Sequence, residues 1–267
     1  MIDSAYGAIE DLMAVIKTRV IPVLLLKDKG LIKTVKFGAP RYIGDPINSV
    51  RIFNEKEVDE LAFLDIAATP NHREPDFETL DDIAGEAFMP MACGGGITSL
   101  AQIRRILSMG FEKVILNTVT FDNPDVVREA VAVYGSQAVV ACVDLKRKVF
   151  GGYDLYTRSA TRRRSVSLAD HLANLLSYGI GEILVNSIDR DGTQAGYDID
   201  AIQAVTSKVT VPVIACGGAG SIDDFVASVN QGGASAVAAG SLFVFKGKHR
   251  AVLINYPERS ELERRLP

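Results

Sequence analysis

Two distant segments of the chain follow the same plan. Residues 90–118 read PMACGGGITSLAQIRRILSMGFEKVILNT, and residues 212–241 read PVIACGGAGSIDDFVASVNQGGASAVAAGS. Each segment has a strand pattern, a glycine run, a polar helix start, an amphipathic helix, a turn glycine and a second strand. The glycine runs begin at Gly94 and Gly217, so the period is 217 − 94 = 123 residues. This period is far too long for a solenoid repeat and indicates two fused halves of one domain.

The rest of the chain alternates short β-branched runs with amphipathic helical patterns, which predicts parallel strands joined by right-handed crossovers. The eight predicted strands are Arg19–Leu26, Leu61–Ile66, Met89–Cys93, Lys113–Leu116, Ala138–Asp144, Glu182–Ser187, Val211–Cys216 and Ala236–Ala239. Eight such units in 267 residues favour a closed barrel over an open doubly wound sheet. We therefore predict a single α/β domain over 15–267, a (β/α)8 TIM barrel built from two fused half-barrels. Residues 1–14 are expected to be a loosely held, disordered N-terminal extension.

Composition excludes several classes of protein. The chain is 48% hydrophobic and 23% charged, as in ordinary globular proteins. A net charge of −4 provides no field that would favour nucleic acid or an anionic membrane, so neither is expected as a partner. No apolar run is long enough to span a membrane, and the acidic N-terminus lacks the pattern of a signal peptide.

The metal-binding and redox residues are few and scattered. The three cysteines are odd in number and widely spaced, which predicts reduced thiols in a cytoplasmic protein. The three histidines lack metal-ligand spacing and are predicted to lie on the surface. We therefore expect no metal and no cofactor. These residues are Cys93, Cys142, Cys216, His72, His171 and His249.

Each glycine run lies where a strand ends and a helix begins. Glycine there lets the backbone approach a ligand, and the free N–H groups of the helix start attract an anion. A tight strand–helix turn also favours glycine, so a single run would carry little weight. Two runs at symmetric positions predict two phosphate sites on opposite sides of the barrel mouth, for a substrate with a phosphate at each end. The predicted phosphate-binding residues are Gly94, Gly95, Gly96, Asn117 and Thr118 in the first half and Gly217, Gly218, Gly240 and Ser241 in the second.

Asp144 is the candidate catalytic residue. It ends the apolar run VVACVD, where burial would raise its pKa and suit it to general acid or base chemistry. The alternative is a carboxylate that only pairs with Lys146 or Arg147. The equivalent position in the first half is 144 − 119 = 25, and it holds Leu25, so a symmetric pair is missing. The other carboxylates at strand ends are Asp65, Asp189 and Asp191, of which Asp191, with Gly192, lies in a turn (SIDRDGT) typical of substrate binding.

Four charged residues lie at the opposite ends of the strands. Arg19, Glu60, Lys113 and Glu182 are at or next to the starts of strands one, two, four and six. At the bottom of a barrel, two cations and two anions can form a closed ring of salt bridges. Such a ring could serve stability alone, or it could be a gate that controls entry of a small molecule into the barrel.

Six segments of the chain match one known pattern: FLDI at 63–66, CGGGI at 93–97, EKVILNT at 112–118, YGSQAVVA at 134–141, GEILVNSIDRDGT at 181–193 and IACGGAG at 214–220. Together they resemble the HisF cyclase subunits of imidazole glycerol phosphate synthase. The resemblance runs from about residue 16 to 245 and implies a barrel of the type that binds ribulose phosphates. The related isomerase of the histidine pathway shares the repeat, but the SIDRDGT turn and the four charges favour the cyclase branch.

The resemblance implies a route for ammonia. In the family, a glutaminase docks at the bottom of the barrel and releases ammonia, which passes a charged gate and follows the axis. At the top it attacks a bisphosphorylated ribulosyl substrate. By this resemblance, the ring of four charges corresponds to the gate. Glu112 and Gln137 lie at positions of the docking face, and Lys33 matches a substrate-binding lysine of the first loop.

The chain departs from the family at strand one. The family pattern is C-L-D-V-K-D-G, whereas residues 23–29 read VLLLKDK, so Leu25 replaces an essential aspartate. Leucine can neither donate nor accept a proton, and Asp28 lies too far out on the loop to substitute. Loss of one of two cooperating acid–base groups typically costs about 10²–10⁴ in rate.

A second branch of the family resembles this chain at strand one. VIPVLLLK at 20–27 and DPINSVRIFNEKEVDELAFLDI at 45–66 are similar to proteins that work with a glutaminase and a sugar amidotransferase in making acetamidino sugars for surface polysaccharides. The leading hypothesis is therefore a HisF-like synthase subunit that delivers ammonia for this chemistry. The alternatives are a genuine cyclase of histidine biosynthesis, which is a lyase, and a non-catalytic ammonia conduit that only activates its glutaminase.

Overall fold

The computed structural model describes residues 17–267, so the expected extension at 1–14 lies outside the described residues. Eight parallel strands pair in a closed circle, each with the next and the last with the first, which confirms the predicted barrel. In chain order and with the numbering used below, they are β1 (Arg19–Lys27), β4 (Leu61–Asp65), β5 (Met91–Gly94), β6 (Lys113–Leu116), β7 (Val139–Arg147), β10 (Glu182–Ser187), β11 (Val213–Cys216) and β12 (Ala236–Ala239). All eight predicted strands are present, with ends within three residues of those expected.

Helices follow the barrel strands and cover their outer faces. They are α1 (Pro46–Glu55), α2 (Phe77–Glu86), α3 (Leu100–Ser108), α4 (Thr118–Asp122), α5 (Pro124–Tyr134), α6 (Leu168–Tyr178), α7 (Ile199–Thr206), α8 (Ile222–Asn230), α9 (Ser241–Val244) and α10 (Arg259–Arg265). Local sequence sets their starts. Ser99 and Gln102 form a capping box at α3, and Asp45 caps α1 ahead of a proline that needs no N–H partner.

Two antiparallel extensions rise above the barrel mouth. β1 and β7 continue past the barrel and pair with β2 (Gly30–Lys33) and β8 (Tyr153–Thr157), respectively. β3 (Arg41–Gly44) then pairs with β2, and β9 (Arg162–Arg164) pairs with β8. These extensions come from the loops after the first and fifth barrel strands, so both lie at the end where the predicted substrate residues cluster.

The hydrophobic core has two layers. The larger layer packs between the barrel strands and the helices, as parallel sheets covered by helices require. The smaller layer fills the barrel axis with aliphatic and small side chains: Ile21, Val23, Ala62, Ala92, Ile115, Val140, Cys142, Leu184, Ile214, Ala236 and Ala238. The barrel is therefore packed along its axis by apolar groups.

The C-terminal segment runs from the barrel mouth down to the start of the first strand. β13 (Phe245–Lys246) and β14 (Ala251–Val252) form a short hairpin, and α10 follows. The Thr18 N–H donates to the carbonyl of Pro267 at 2.9 Å, and the Tyr256 hydroxyl donates to the carbonyl of Val20 at 3.0 Å. Among the described residues, no helix is long and apolar enough to cross a membrane.

Candidate functional site

A cavity of about 330 Å³ lies at the carboxyl ends of the barrel strands. It brings together residues that are far apart in the chain, from both half-barrels. The predicted site residues in its wall are Lys33, Gly95, Gly96, Asn117, Thr118, Asp144, Asp191, Gly192, Gly217, Gly218, Gly240 and Ser241. Gly94 is not in the wall. It belongs to β5, where a Cβ would lie 2.6 Å from the carbonyl oxygen of Ile115, so packing between strands requires glycine there.

The glycines of the two runs are also required by the backbone. Gly95 has φ +101°, and a Cβ would lie 2.1 Å from the carbonyl oxygen of Asp65. Gly218 has φ +120°, and a Cβ would lie 2.3 Å from the carbonyl oxygen of Gly196. Both residues adopt a conformation that side chains disfavour. Turn geometry alone therefore accounts for glycine at these two positions, while leaving the backbone open to the cavity.

Asp144 lies in the cavity wall with donors on both carboxylate oxygens. Asn117 Nδ2 donates to Oδ2 at 3.0 Å, and Asn186 Nδ2 donates to Oδ1 at 3.2 Å. The thiol of Cys142 is 3.7 Å from Oδ1. Burial raises the pKa of Asp144 to about 7, against the lowering effect of the hydrogen bonds from Asn186 and Cys142. A carboxyl with this pKa can give or take a proton near neutral pH.

Lys33 lies on the opposite side of the cavity. Its ammonium donates to the carbonyl of Val23 at 2.5 Å and lies so close to Gly240 that a Cβ there would be 2.0 Å from Nζ. Burial lowers the pKa of Lys33 to about 8, although the nearby Asp191 opposes the shift. Burial also raises the pKa of Asp191, whose carboxylate accepts a hydrogen bond from Thr34 at 3.3 Å. β2 therefore carries an amine beside Gly240, in the second predicted phosphate site.

The two half-barrels present different chemistry at equivalent positions. In the second half, Asp144 and Asn186 are neighbours in the pairing of β7 with β10. In the first half, the equivalent neighbours in β1 and β4 are Leu25 and Leu64. One side of the mouth therefore has a carboxyl with an amide donor, and the other has two leucine side chains.

The opposite end of the barrel carries the predicted ring of charges. Arg19 pairs with Glu60 and, at 2.5 Å, with Glu182. Lys113 Nζ is 3.0 Å from Glu60 and 3.2 Å from Glu182, which closes the ring. β10 pairs with neither β1 nor β6, so the contacts to Glu182 span the barrel end. The side chain of Glu60 is only 5% exposed, and that of Lys113 is 14% exposed.

A second depression surrounds this ring on the bottom face. Glu112 and Gln137 line it together with the four ring residues. Both are exposed, and the Gln137 side chain is held by a hydrogen bond to the carbonyl of Tyr134 at 2.9 Å. The two predicted docking residues therefore lie beside the ring, on the surface where a protein could cover it.

Some residues of the mouth were not predicted from the sequence. Asn186 belongs to a recognised motif but was not singled out, although a polar residue directly after the buried run 183–185 was a usable signal. Arg158 and Ser159 also line the cavity, carried there by the turn between β8 and β9. No local pattern indicated that this turn reaches the mouth.

The prediction that all three histidines lie on the surface is wrong for His171. Its side chain is buried on the inner face of α6 and stacks on Phe121 with ring centroids 3.9 Å apart. Burial and, secondarily, the nearby Arg164 lower its pKa to about 4, so it is neutral at physiological pH. The amphipathic period of α6 could have indicated this, because His171 falls on the same face as Leu172 and Leu175. Within residues 17–267, no cluster of three His, Cys, Asp or Glu side chains is arranged to hold a metal ion.

Comparison with known proteins agrees with this geometry. Residues 19–250 match the family described as histidine biosynthesis protein. A Pseudomonas aeruginosa protein named as a candidate imidazole glycerol phosphate synthase subunit, hisF2, is 50% identical over 93% of this chain and 99% of its own length. A Vibrio vulnificus protein named as a candidate subunit hisF3 is 46% identical over 94% of this chain and 97% of its own length. The Caulobacter vibrioides imidazole glycerol phosphate synthase subunit HisF is 39% identical over 86% of this chain and 89% of its own length. The chain therefore belongs to the histidine biosynthesis protein family, as a HisF-like barrel.

Proposed function

We propose that this barrel receives ammonia from a glutaminase bound at its bottom face and delivers it through the axis to the mouth, for acetamidino-sugar formation in surface polysaccharide biosynthesis. A sugar amidotransferase is the proposed partner that uses the ammonia, and the sugar is the acceptor. Membership of the HisF-like family is established by the comparisons. What we propose is the reaction that the barrel serves.

One observation carries the proposal, the pair Leu25 and Leu64 opposite Asp144 and Asn186. Closing an imidazole ring needs proton transfers at more than one position, and acid–base groups on both sides of the mouth can share them. Two leucine side chains on one side cannot take part. Instead they extend the apolar lining of the axis up to the mouth, which suits a neutral molecule such as ammonia.

The bottom face supports the ammonia route. The ring of Arg19, Glu60, Lys113 and Glu182 closes the lower end of an apolar axis, so a small molecule that enters must pass these side chains. Glu112 and Gln137 offer polar contacts to a glutaminase seated over the ring. Ammonia released beneath such a partner would be shielded from solvent, where it would otherwise take up a proton.

The mouth supports a phosphorylated ligand. The two glycine runs lie on opposite sides of the cavity, with Asn117 and Thr118 beside the first and Gly240 and Ser241 beside the second. Lys33 adds an amine at the second side. Asp144, with a pKa of about 7, is the group we assign to proton transfer.

A second candidate function is genuine cyclase activity in histidine biosynthesis by a variant mechanism. The Asp144 carboxyl favours it, since one of the two acid–base groups of the family is still in place. The names of the relatives, which include an imidazole glycerol phosphate synthase subunit, point the same way. A conduit without chemistry of its own is the third candidate, and it differs from the first in giving Asp144 no role.

The test of the proposal is turnover of the bisphosphorylated ribulosyl substrate with a high concentration of ammonium at mildly alkaline pH, which bypasses the glutaminase. The wild type is expected to form imidazole glycerol phosphate at least about 10²-fold more slowly than ordinary cyclases. Leu25→Asp restores the missing carboxylate and should raise this rate. Leu25→Asn introduces a side chain of the same size as aspartate but without a titratable group, so it should not raise the rate. A wild-type rate equal to that of ordinary cyclases would overturn the proposal and favour the second candidate.

Asp144→Asn separates the first candidate from the third. In a reaction with glutamine, the partner glutaminase and the proposed sugar amidotransferase, the variant should lose sugar product while glutaminase activity is kept. Product formation equal to wild type would mean that the barrel is only a conduit.

A further inference from the structure

The turn between β8 and β9 is held over the mouth in an unfavourable conformation. Arg158, Ser159 and Ala160 have φ values of 55°, 53° and 62°, in the left-handed region that residues other than glycine rarely adopt. Two hydrogen bonds fix the turn to the barrel: the Arg158 N–H donates to Thr118 Oγ1 at 3.2 Å, and the Ser159 hydroxyl donates to the carbonyl of Ile66 at 2.8 Å. Strained backbone that is anchored in this way often marks a functional position.

The Arg158 side chain lacks a full set of partners. Its Nη2 is 3.6 Å from Asp122, which is beyond hydrogen-bonding distance, and its buried Nε has no partner among the described residues. Asp122 is shared with Arg164, which contacts the other carboxylate oxygen at 2.6 Å. The neighbouring His171 is neutral because burial lowers its pKa to about 4. Two guanidinium groups therefore share one carboxylate, which leaves an excess positive charge and a free donor.

This excess charge lies at the side of the cavity where Asn117 and Thr118 face the first glycine run. We propose that Arg158 is an anion-binding residue of the mouth, which donates to the phosphate group of the ligand bound at this side. The inference rests on the proposed function in one respect, the phosphorylated ligand. An arginine matches this role because its planar guanidinium offers several N–H donors that fit a phosphate.

The competing explanation is that Arg158 only pairs with Asp122 to hold the hairpin. In that case the guanidinium would be expected to make the short contact with the carboxylate, as Arg164 does. The longer distance of Arg158 and its unpartnered Nε favour a residue that completes its contacts when an anion binds.

The experiment is a calorimetric titration of the whole protein with inorganic phosphate. Arg158→Gln removes the charge and the fork of donors and should weaken binding by about 10-fold or more, as expected for charge-assisted hydrogen bonds. Arg158→Lys keeps the charge but lacks the planar set of N–H donors, so its loss of phosphate affinity should be intermediate. Arg162→Gln is the matched control, since it makes the same change in an exposed residue of the same hairpin, and it should alter binding less than twofold.

Repeating the measurement in a protein that carries a second substitution shows which side of the cavity Arg158 serves. In Ser241→Ala, which perturbs the opposite side, Arg158→Gln should still weaken phosphate binding by the same factor. If wild type binds phosphate and Arg158→Gln matches Arg162→Gln, this inference is overturned and the proposed function stands. If wild type binds no phosphate, the inference and the phosphorylated ligand of the proposed function fall together. If Arg158→Gln does not fold, Arg158→Lys provides the test. A phosphate affinity of Arg158→Lys equal to that of wild type would overturn the role of the guanidinium donors.

Discussion

At the scale of single residues, the mouth shows how burial and neighbours decide the chemistry of a side chain. Asp144 and Leu25 occupy equivalent positions in the two half-barrels, and both follow apolar runs in the sequence. The pKa of the Asp144 carboxyl is set by burial together with the hydrogen bonds from Asn186 and Cys142, and Asn117 donates a further hydrogen bond to it. The sequence indicated that burial would raise its pKa, but not which donors would face it.

The raised pKa of Asp144 makes stability depend on pH. Between about pH 4, where a carboxyl in the unfolded chain ionises, and pH 7, where Asp144 ionises in the fold, the native state holds the extra proton. Stability therefore falls as pH rises through this window. Asp144→Asn removes the titration, so the stability of wild type relative to the variant should drop by about 2–3 kcal/mol between pH 5 and pH 8.

Urea unfolding of both proteins at the two pH values measures this difference. Asp81→Asn, which makes the same change in an exposed residue, is the matched control and should leave the pH dependence as in wild type. A difference between wild type and Asp144→Asn that stays constant with pH would contradict the assigned cause.

At the scale of elements, strand starts and strand ends carry different tasks. The starts of β1, β4, β6 and β10 place four charges in a ring, and the ends place the cavity residues above it. The order of strands and helices was predictable, because apolar periodicity and turn glycines are local signals. The two antiparallel extensions were not, because each depends on a loop folding back onto the strand before it.

Breaking the ring should be costly. Lys113→Met leaves Glu60 and Glu182 with only Arg19 between them, in a partly buried site, and should lower the free energy of unfolding by about 3 kcal/mol. The matched control is Lys29→Met, which removes a fully exposed pair with Glu78 and should leave stability unchanged within error. Thermal and urea unfolding provide the comparison. Equal stabilities for the two variants would mean that the ring contributes nothing to the fold.

At the scale of the whole molecule, the two ends of the described chain meet. The backbone N–H of Thr18 donates to the carbonyl of Pro267, and Leu262 of α10 and the following Leu266 are both buried. The barrel is thereby tied to its last segment at the end that carries the ring. This contact brings together residues nearly a full chain length apart, so no local pattern in the sequence predicts it.

Deleting residues 259–267 should expose the surface that the two leucines cover. Burying a leucine side chain is worth about 1.5–3 kcal/mol, so the truncated protein should lose about 3–6 kcal/mol of stability while the barrel still unfolds in one transition. Arg265→Ala, which only removes a surface salt bridge with Asp223, should have no measurable effect. Denaturant unfolding that gives the truncated protein the stability of wild type would show that α10 is not part of the core.

The sequence by itself determined the barrel, its two-fold repeat, the position of each charged residue at one end or the other, and the loss of the carboxylate at Leu25. The strands, the helices and the charges follow from patterns within about 30 residues, where periodicity and turn chemistry act directly. The repeat and the missing carboxylate follow from comparing the two halves of the sequence. Only the tertiary structure decided that His171 is buried, that Asn186 supports Asp144, that Gly94 serves strand packing and that Arg158 reaches the mouth. Each of these depends on contacts between residues brought together from separate strands and loops, and the environment that sets charge and burial exists only once the barrel has closed.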